Sequence, residues 1–359
     1  MHLLWVELRD FRNHADTRLE VPEGLVTVVG PNGEGKTNLL EGMYFLTHLD
    51  SPRVSADLPL IRQGAESAFV RGEAQTGEGK LLIEVEIRAQ GANRVQVNRS
   101  PVRRKRDLRR LAPSVFFGPD DLDMVQGDPG ARRRFMDQAV AAVWPAKETA
   151  LRTYEKTLRQ RNRLLKDHAG PGEPPGLAAW DEELIASGTV VTATRRSAIE
   201  RVAPPASAEF ETLSGYGLGI EYLPSVGGDD LAAAFRERLT ARRGDELARR
   251  TTLVGPHRDD LGLTVRDLVA RGFASHGEAW GAALSLRLGL ATAIEDEIGE
   301  RPVILLDDPF SALDPVRRGR IGSALNGRGQ VVVSVADGGH IPPASEAIWD
   351  VATGAVSAR

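Results

Sequence analysis

The stretch Gly30-Pro31-Asn32-Gly33-Glu34-Gly35-Lys36-Thr37 decides how this chain is read. It has the form G-x-x-x-x-G-K-[ST], and its flanks supply the context that this pattern requires. Leu25-Val26-Thr27-Val28-Val29 before it reads as a strand buried on both faces, and Leu39, Leu40, Met43, Tyr44 and Leu46 after it recur at helical spacing. Such a strand-loop-helix cradles phosphates. Its glycines let backbone N–H groups turn inward, and the helix N-terminus adds positive potential. Residues Gly30, Pro31, Asn32, Gly33, Glu34, Gly35, Lys36, Thr37 and Asn38 are therefore the expected ATP-binding loop. Lys36 reaches the β and γ phosphates as a catalytic cation, and Thr37 offers a hydroxyl to Mg²⁺.

A second element completes the chemistry. Val303-Ile304-Leu305-Leu306 is an apolar strand ending in Asp307 and Asp308, the arrangement of a Walker B strand. A parallel strand alongside the P-loop strand would deliver both acids to the same sheet edge. Asp307 is assigned to the Mg²⁺ shell, and Asp308 to orienting, or accepting a proton from, the attacking water. Backbone alternation points the neighbours in different directions, so two roles fall to adjacent residues.

Composition bounds the rest. At 359 residues the chain exceeds what one hydrophobic core usually serves, so two domains are expected. Hydrophobic residues make up 41%, yet no apolar run approaches the roughly 18 residues of a membrane span. The start, Met1-His2-Leu3-Leu4-Trp5, has no positive leader and soon reaches Glu7, Arg9 and Asp10, so a cytoplasmic protein is expected. With no cysteine there is neither a disulfide framework nor a thiolate site. The net charge of −4 hides local basic clusters. Arg103, Arg104, Lys105, Arg106, Arg109 and Arg110 form one candidate DNA-binding group, and Arg132-Arg133-Arg134 a second; either also reads as a solvated face.

Along the chain, the alternation Leu4, Val6, Leu8 predicts an opening strand. Leu81, Ile83, Val85 and Ile87 predict an antiparallel strand, paired with Val95 and Val97 across a turn at Gly91-Ala92-Asn93. Helical patterns run from about residue 131 and pause at the linker Gly170-Pro171-Gly172-Glu173-Pro174-Pro175-Gly176. A helix starting at Trp180 is expected to end near Pro204-Pro205, followed by a short strand at Ile220 and Tyr222 and a helix through Leu231, Phe235 and Leu239. Strand character returns at Leu261 to Val265 and at Val331-Val332-Val333.

Phe273-Ala274-Ser275-His276-Gly277-Glu278, with a helical pattern behind it, resembles the signature loop of ATP-binding-cassette (ABC) ATPases, and Ser311-Ala312-Leu313-Asp314 resembles their D-loop. That resemblance implies that Ser275, with a catalytic role, together with Gly277 and Asp314 contacts the nucleotide of an opposite subunit. ATP then joins two protomers.

Further stretches narrow the resemblance to the RecF family. They are Phe11-Arg12-Asn13-His14, Gly30 to Glu41, Leu60 to Glu66, Phe117 to Leu122, Gly127-Asp128-Pro129, Arg132 to Asp137, Arg161 to Lys166, and Gly255 to Asp260. The implied fold is α/β: an ABC-type, SMC-like P-loop ATPase head with an antiparallel β subdomain, plus an inserted, mostly helical arm. The head would comprise 1–118 and 251–359, and the arm 119–250. Arg12 and Asn13 join the ATP-binding set, since related heads suggest that Arg12 touches the nucleotide. The implied activity is ATP-dependent homodimerisation on double-stranded DNA and at single-strand/double-strand junctions near gaps. Hydrolysis would be weak, DNA-dependent and switch-like, and RecR, with RecO, would help load RecA.

Two departures from the family pattern stand out. The signature usually continues Ser-Gln-Gly-Gln-Gln-Arg, whereas here it reads Ser275-His276-Gly277-Glu278-Ala279-Trp280. After the last strand, Val335-Ala336-Asp337 places Ala336 where transporter ATPases carry a γ-phosphate-sensing histidine and RecF proteins usually a threonine, which predicts slow hydrolysis. His257 and Arg258 are read either as near nucleotide or DNA, or as paired with Asp259 and Asp260 at a hinge. Rival functions are a transporter ATPase subunit, an SMC-like chromosome organiser and a non-hydrolysing nucleotide-gated scaffold.

Overall fold

The computed structural model describes residues 1–359 apart from 103, 171 and 312. Three sheets organise it. The first is antiparallel, in the order β2-β1-β4-β5-β6-β7. Its strands are β1 (His2–Phe11), β2 (His14–Glu20), β4 (Ser67–Thr76), β5 (Gly79–Arg88), β6 (Arg94–Val97) and β7 (Ser100–Pro101). The second is mainly parallel, in the order β15-β14-β3-β13-β12-β8. It contains β3 (Leu25–Val29), β8 (Ser114–Phe117), β12 (Val303–Leu306), β13 (Val331–Val335), β14 (Ala347–Ala352) and β15 (Ala355–Ala358). A small third sheet joins β9 (Leu218–Leu223), β10 (Asp260–Val265) and β11 (Leu268–Val269).

The helices are α1 (Lys36–His48), α2 (Lys105–Leu111), α3 (Asp123–Gln126), α4 (Pro129–Val143), α5 (Glu148–Asp167), α6 (Leu177–Ser214), α7 (Leu231–Arg249), α8 (Ala270–Phe273), α9 (His276–Ile298) and α10 (Pro315–Leu325). Helix α1 lies between the two large sheets. Its Leu39, Leu40, Met43, Phe45 and Leu46 share one core with Val6, Leu8, Val70 and Ile83 of the first sheet and Val26, Val28, Leu305 and Val332 of the second. All-apolar strands such as β3 and β13 suit a sheet covered on both faces. The other face of the second sheet carries a core that runs from Leu306 and Val331 through α9 and α4 to α6 and α7.

The β5–β6 hairpin, β9, β10 and α7 form where the sequence predicts them, β5 and β6 in the register Ile83↔Val97 and Val85↔Val95. The opening strand differs in its face. A bulge between Leu3 and Trp5 puts Leu3, Val6 and Leu8 in the core and leaves Leu4 half-exposed.

Pro204-Pro205 do not end a helix. Helix α6 continues through them to Ser214 because Val202, Ala206 and Phe210 are fully buried, while the carbonyls deprived of a donor belong to the exposed residues Glu200 and Arg201. Gly289 of α9 admits this close approach: a Cβ there would stand 2.6 Å from the Ala206 nitrogen. Pro171 of the linker lies outside the described residues.

Candidate nucleotide site

The phosphate loop is held open from behind. Gly33 and Gly35 have φ of 89° and 120°, where a side chain would be strained, and a Cβ on Gly35 would stand 2.6 Å from the Asn13 amide. Asn13 Nδ2 donates to the Glu34 carbonyl at 2.9 Å, and Asn38 Nδ2 donates to Asn13 Oδ1 at 2.8 Å. The hairpin β14–β15 grips the loop from the other side. Gly354 N–H donates to the Glu34 carbonyl at 2.9 Å, and Thr353 N–H to the Glu34 carboxylate.

His14 is fully buried with its ring nitrogens 2.8 Å from the Gly354 carbonyl and 3.1 Å from the Gly35 carbonyl. Burial lowers its pKa and outweighs these two hydrogen bonds. The ring braces the loop between Gly35 and Gly354.

Lys36 folds over its own loop, its Nζ 2.5 Å from the Gly30 carbonyl, 2.9 Å from that of Pro31 and 3.5 Å from Asn32 Oδ1. Burial lowers its pKa, against the opposing pull of Asp307, Asp308 and Glu34. Thr37 Oγ1 lies 2.9 and 2.8 Å from the two oxygens of Asp307.

Strand β12 is not next to β3, contrary to the expectation; β13 runs between them. The intervening strand contributes chemistry of its own. Ser334 Oγ donates to Asp307 Oδ1 at 2.7 Å and accepts from Asp308 N–H at 2.9 Å. The serine is fully buried, and although it is the one polar residue of Val331-Val332-Val333-Ser334-Val335, nothing in the sequence names Asp307 as its partner.

Asp308 sits at φ 49°, a left-handed backbone that turns the chain as β12 ends. Burial, then the neighbouring Asp307, raises its pKa, while Lys36 and His340 pull it down. Hard oxygen donors from Thr37 and Asp307 suit Mg²⁺. Among the described residues, no cluster of three or more His, Cys, Asp or Glu side chains is placed to hold a metal alone.

The structure commits Arg12 to Glu41. Its Nε and Nη2 donate to the two carboxylate oxygens at 2.8 Å each, and Nη1 donates to the Pro59 carbonyl at 2.9 Å. Glu41 is fully buried and also takes Arg53 Nη1 at 3.3 Å.

Ser275, Gly277 and Asp314 form no hydrogen bond with Lys36, Thr37, Asp307 or Asp308 among the described residues. Ser275 instead caps α9 and Asp314 caps α10. Ala312, within the expected D-loop, lies outside the described residues. Trp280, one of the departures, ties α9 to the end of the acid-tipped strand. Its indole N–H donates to the Pro309 carbonyl at 2.8 Å, and its ring meets Phe117 edge-on at 5.2 Å.

The basic cluster is partly spent inside the fold. Arg109 is buried, its guanidinium 3.0 Å from Asp50 and 3.3 Å from Glu148, because the apolar face of α2 that buries Leu108 buries Arg109 with it. It is withdrawn as a DNA contact. Lys105 donates to the Leu49 carbonyl and Arg106 to Thr149 Oγ1 at 2.8 Å, while Arg104 and Arg110 remain exposed. Arg103 lies outside the described residues.

The second cluster behaves likewise. Arg132 forks onto Asp260 at 2.6 and 2.9 Å, Arg133 donates to the Asp259 carbonyl at 2.9 Å, and Arg134 is exposed. The pairing of His257 and Arg258 with Asp259 and Asp260 is therefore corrected. Asp259 binds Arg195 at 3.1 Å, whereas His257 sits between the Tyr154 hydroxyl at 2.7 Å and the Thr252 carbonyl at 3.0 Å.

Known proteins resemble this chain in sequence and fold. Residues 2–352 match the family described as the RecF/RecN/SMC N terminal domain. The DNA replication and repair protein RecF of Cutibacterium acnes is 39% identical over 94% of this chain and 93% of its own length. That of Frankia alni is 40% identical over 95% of both. A solved structure of the recombination mediator protein RecF-ATPrS in the RecFOR pathway superposes with a TM-score of 0.90 at 28% identity, covering 99% of this chain and 98% of that one. An Smc head domain from Pyrococcus furiosus, at 18% identity and a TM-score of 0.59, shares the fold. With a P-loop, an acid-tipped β12 and a capped signature helix on an SMC-like ABC ATPase head, this chain belongs to the RecF family of DNA replication and repair proteins.

Proposed function

We propose that this chain is an ATP-driven clamp on DNA whose active sites are shared between two copies. Family membership supports ATP as the ligand. The observation that carries the shared-site reading is that, among the described residues, Ser275, Gly277 and Asp314 make no hydrogen bond with the Lys36–Thr37–Asp307–Asp308 group of their own chain, Ser275 and Asp314 capping their helices instead. In a closed pair each copy's Ser275, Gly277 and Asp314 meet the nucleotide held by the other.

Residues Gly30 to Asn38 hold the phosphates through backbone N–H groups, with Lys36 leaving the carbonyls of its own loop to meet them. Asn13 and Arg12 brace the loop and the start of α1. Thr37 and Asp307 would hold Mg²⁺, which would neutralise phosphate charge when bound. Asp308, its pKa raised by burial, orients the water and accepts its proton. Ala336 offers no hydrogen-bonding side chain to the γ-phosphate, so hydrolysis is slow and acts as a timed release.

Residues 1–118 and 251–359 act as the head and 119–250 as the arm, β9 pairing the arm onto β10. The clamp works in the cytoplasm on double-stranded DNA and at junctions beside gaps. The name RecFOR on the related structure supports RecO and RecR as partners, with RecA loading as the outcome. The test is light scattering with duplex DNA, with and without ATP and Mg²⁺. Dimerisation should require both, and Ser275→Arg should abolish it while nucleotide binding persists. An unchanged ATP-dependent dimer in Ser275→Arg would sink the shared-site model.

A further inference from the structure

Glu278, one of the departures from the family pattern, occupies the signature serine from behind. Ser275 N–H donates to Glu278 Oε2 at 2.8 Å, and Glu278 N–H donates to Ser275 Oγ at 3.3 Å. This reciprocal capping box fixes the serine rotamer. Because the hydroxyl oxygen receives the Glu278 N–H, its own proton stays free to donate outward from the N-terminus of α9.

The carboxylate is itself held from two other segments. The Tyr216 hydroxyl donates to Glu278 Oε1 at 2.5 Å, and Arg266 Nη2 lies 2.9 Å from the same oxygen. Arg266 also donates to the Tyr216 hydroxyl at 2.8 Å and stacks its guanidinium 4.2 Å from the ring centroid. Glu278 is only 8% exposed. Burial works against its charge, yet the bonds from Tyr216 and Ser275, with Arg266 beside them, pull its pKa down to about 2.

Tyr216 arrives there from the long helix α6. Gly215, at φ 83°, ends that helix in the left-handed conformation and returns Tyr216 onto Phe210, whose ring it meets edge-on at 5.7 Å. Phe210 is fully buried. Arg266 comes from the turn between β10 and β11. The end of α6, a turn of the third sheet and the signature helix thus converge on one carboxylate.

An uncompensated carboxylate at this helix end would repel an approaching phosphate, and Arg266 supplies the compensating charge. We propose that Glu278 is a positioning residue for Ser275, and that Tyr216 and Arg266 hold and neutralise it, so that docking of the α6 end prepares the signature serine for a second copy's nucleotide. The proposal rests on the shared-site reading above. It gives the arm a direct handle on dimer closure.

The full chain is assayed by light scattering with ATP and Mg²⁺, by steady-state hydrolysis, and by nucleotide affinity at dilutions that keep it monomeric. Glu278→Ala should weaken ATP-dependent dimerisation and lower kcat by about tenfold, the scale of a lost cap, with monomer nucleotide affinity unchanged. Glu278→Gln, whose amide oxygen still accepts from Ser275 N–H, should restore most of both. Tyr216→Phe, which keeps the ring on Phe210, should weaken dimerisation by about threefold, a fraction of a hydrogen bond's worth. Arg266→Ala should weaken it more at low salt than at high salt.

Wild-type dimerisation in both Glu278→Ala and Tyr216→Phe overturns the proposal, as does equal loss of monomer nucleotide affinity. Ser275→Arg separates the two levels. If that variant still dimerises with ATP, the shared site itself fails; if it does not while Glu278→Ala behaves as wild type, only the role of Glu278 falls.

Discussion

Thr37 and Asp307, 270 residues apart in sequence, meet with the threonine hydroxyl 2.9 and 2.8 Å from the two carboxylate oxygens. Ser334 approaches the same carboxylate at 2.7 Å from the strand between them. One acid thus ties the P-loop helix to two neighbouring strands.

That geometry predicts a metal-specific defect. Asp307→Asn should weaken Mg²⁺-dependent ATP binding by on the order of tenfold or more, through loss of a charged oxygen ligand. Binding of ATP in EDTA should change little, since Lys36 and the loop amides are untouched. Paired titrations of a fluorescent ATP analogue, with Mg²⁺ and with EDTA, measure the difference.

The exposed remainder of the first basic cluster predicts the salt dependence of DNA binding. Arg104→Ala combined with Arg110→Ala should flatten the slope of log K against log salt by roughly two units, at about 0.9 per phosphate contact. Arg109→Ala should instead destabilise the fold by about 1–3 kcal/mol, because it removes a hydrogen-bond donor from Asp50 and an ion-pair partner from Glu148. Duplex titrations from low to moderate salt, beside urea melts, distinguish the two. An unchanged slope in the double variant places DNA on another surface.

His257 predicts a pH dependence of stability. Burial between Tyr154 and Thr252 takes its pKa down from 6.5 to about 4, so the unfolded chain takes up the proton first as pH falls. The stability tied to its neutral form is complete above about pH 6.5 and is lost progressively as pH falls towards 4, up to roughly 3 kcal/mol. His257→Gln should remove this slope from the wild-type curve between those values, read by urea midpoints at each pH. A slope equal to wild type would contradict it.

Arg161 predicts how strongly α5, α6 and α7 are held together. It is fully buried, with Asp181 at 2.9 Å, Thr252 Oγ1 at 2.8 Å and Glu246 at 2.6 Å. Arg161→Met leaves Glu246 charged and buried and should cost about 3–5 kcal/mol. Arg161→Met with Glu246→Gln should recover part of that loss. Urea melts of the single and double variants form the cycle.

Much of the site was legible in the sequence, because its parts are local. A P-loop needs its glycines, lysine and threonine within one short run of chain, and β12 announces itself by four apolar residues ending in two acids. The signature loop and the helix behind it were visible for the same reason, though the cap at Ser275 was not read from it. Side chains supplied from other strands were not, since nothing near Ser334, His14 or Glu41 in sequence names the partner each one meets. Local rules also misjudged Pro204-Pro205 and Arg109, where burial against α9 and the Asp50–Glu148 pair override propensity and charge.

The sequence by itself determined the nucleotide chemistry, the strand-loop-helix that holds it and the family, because these depend on short-range patterns of residue type. Only the tertiary structure decided that β13 separates the two motif strands, that Arg109 and Arg132 face acids within the fold, and that Tyr216 and Arg266 converge on Glu278. Each of these depends on which distant segments share a face. That choice is made by the packing of whole sheets and helices, where burial and ion pairing act on partners far apart in the chain.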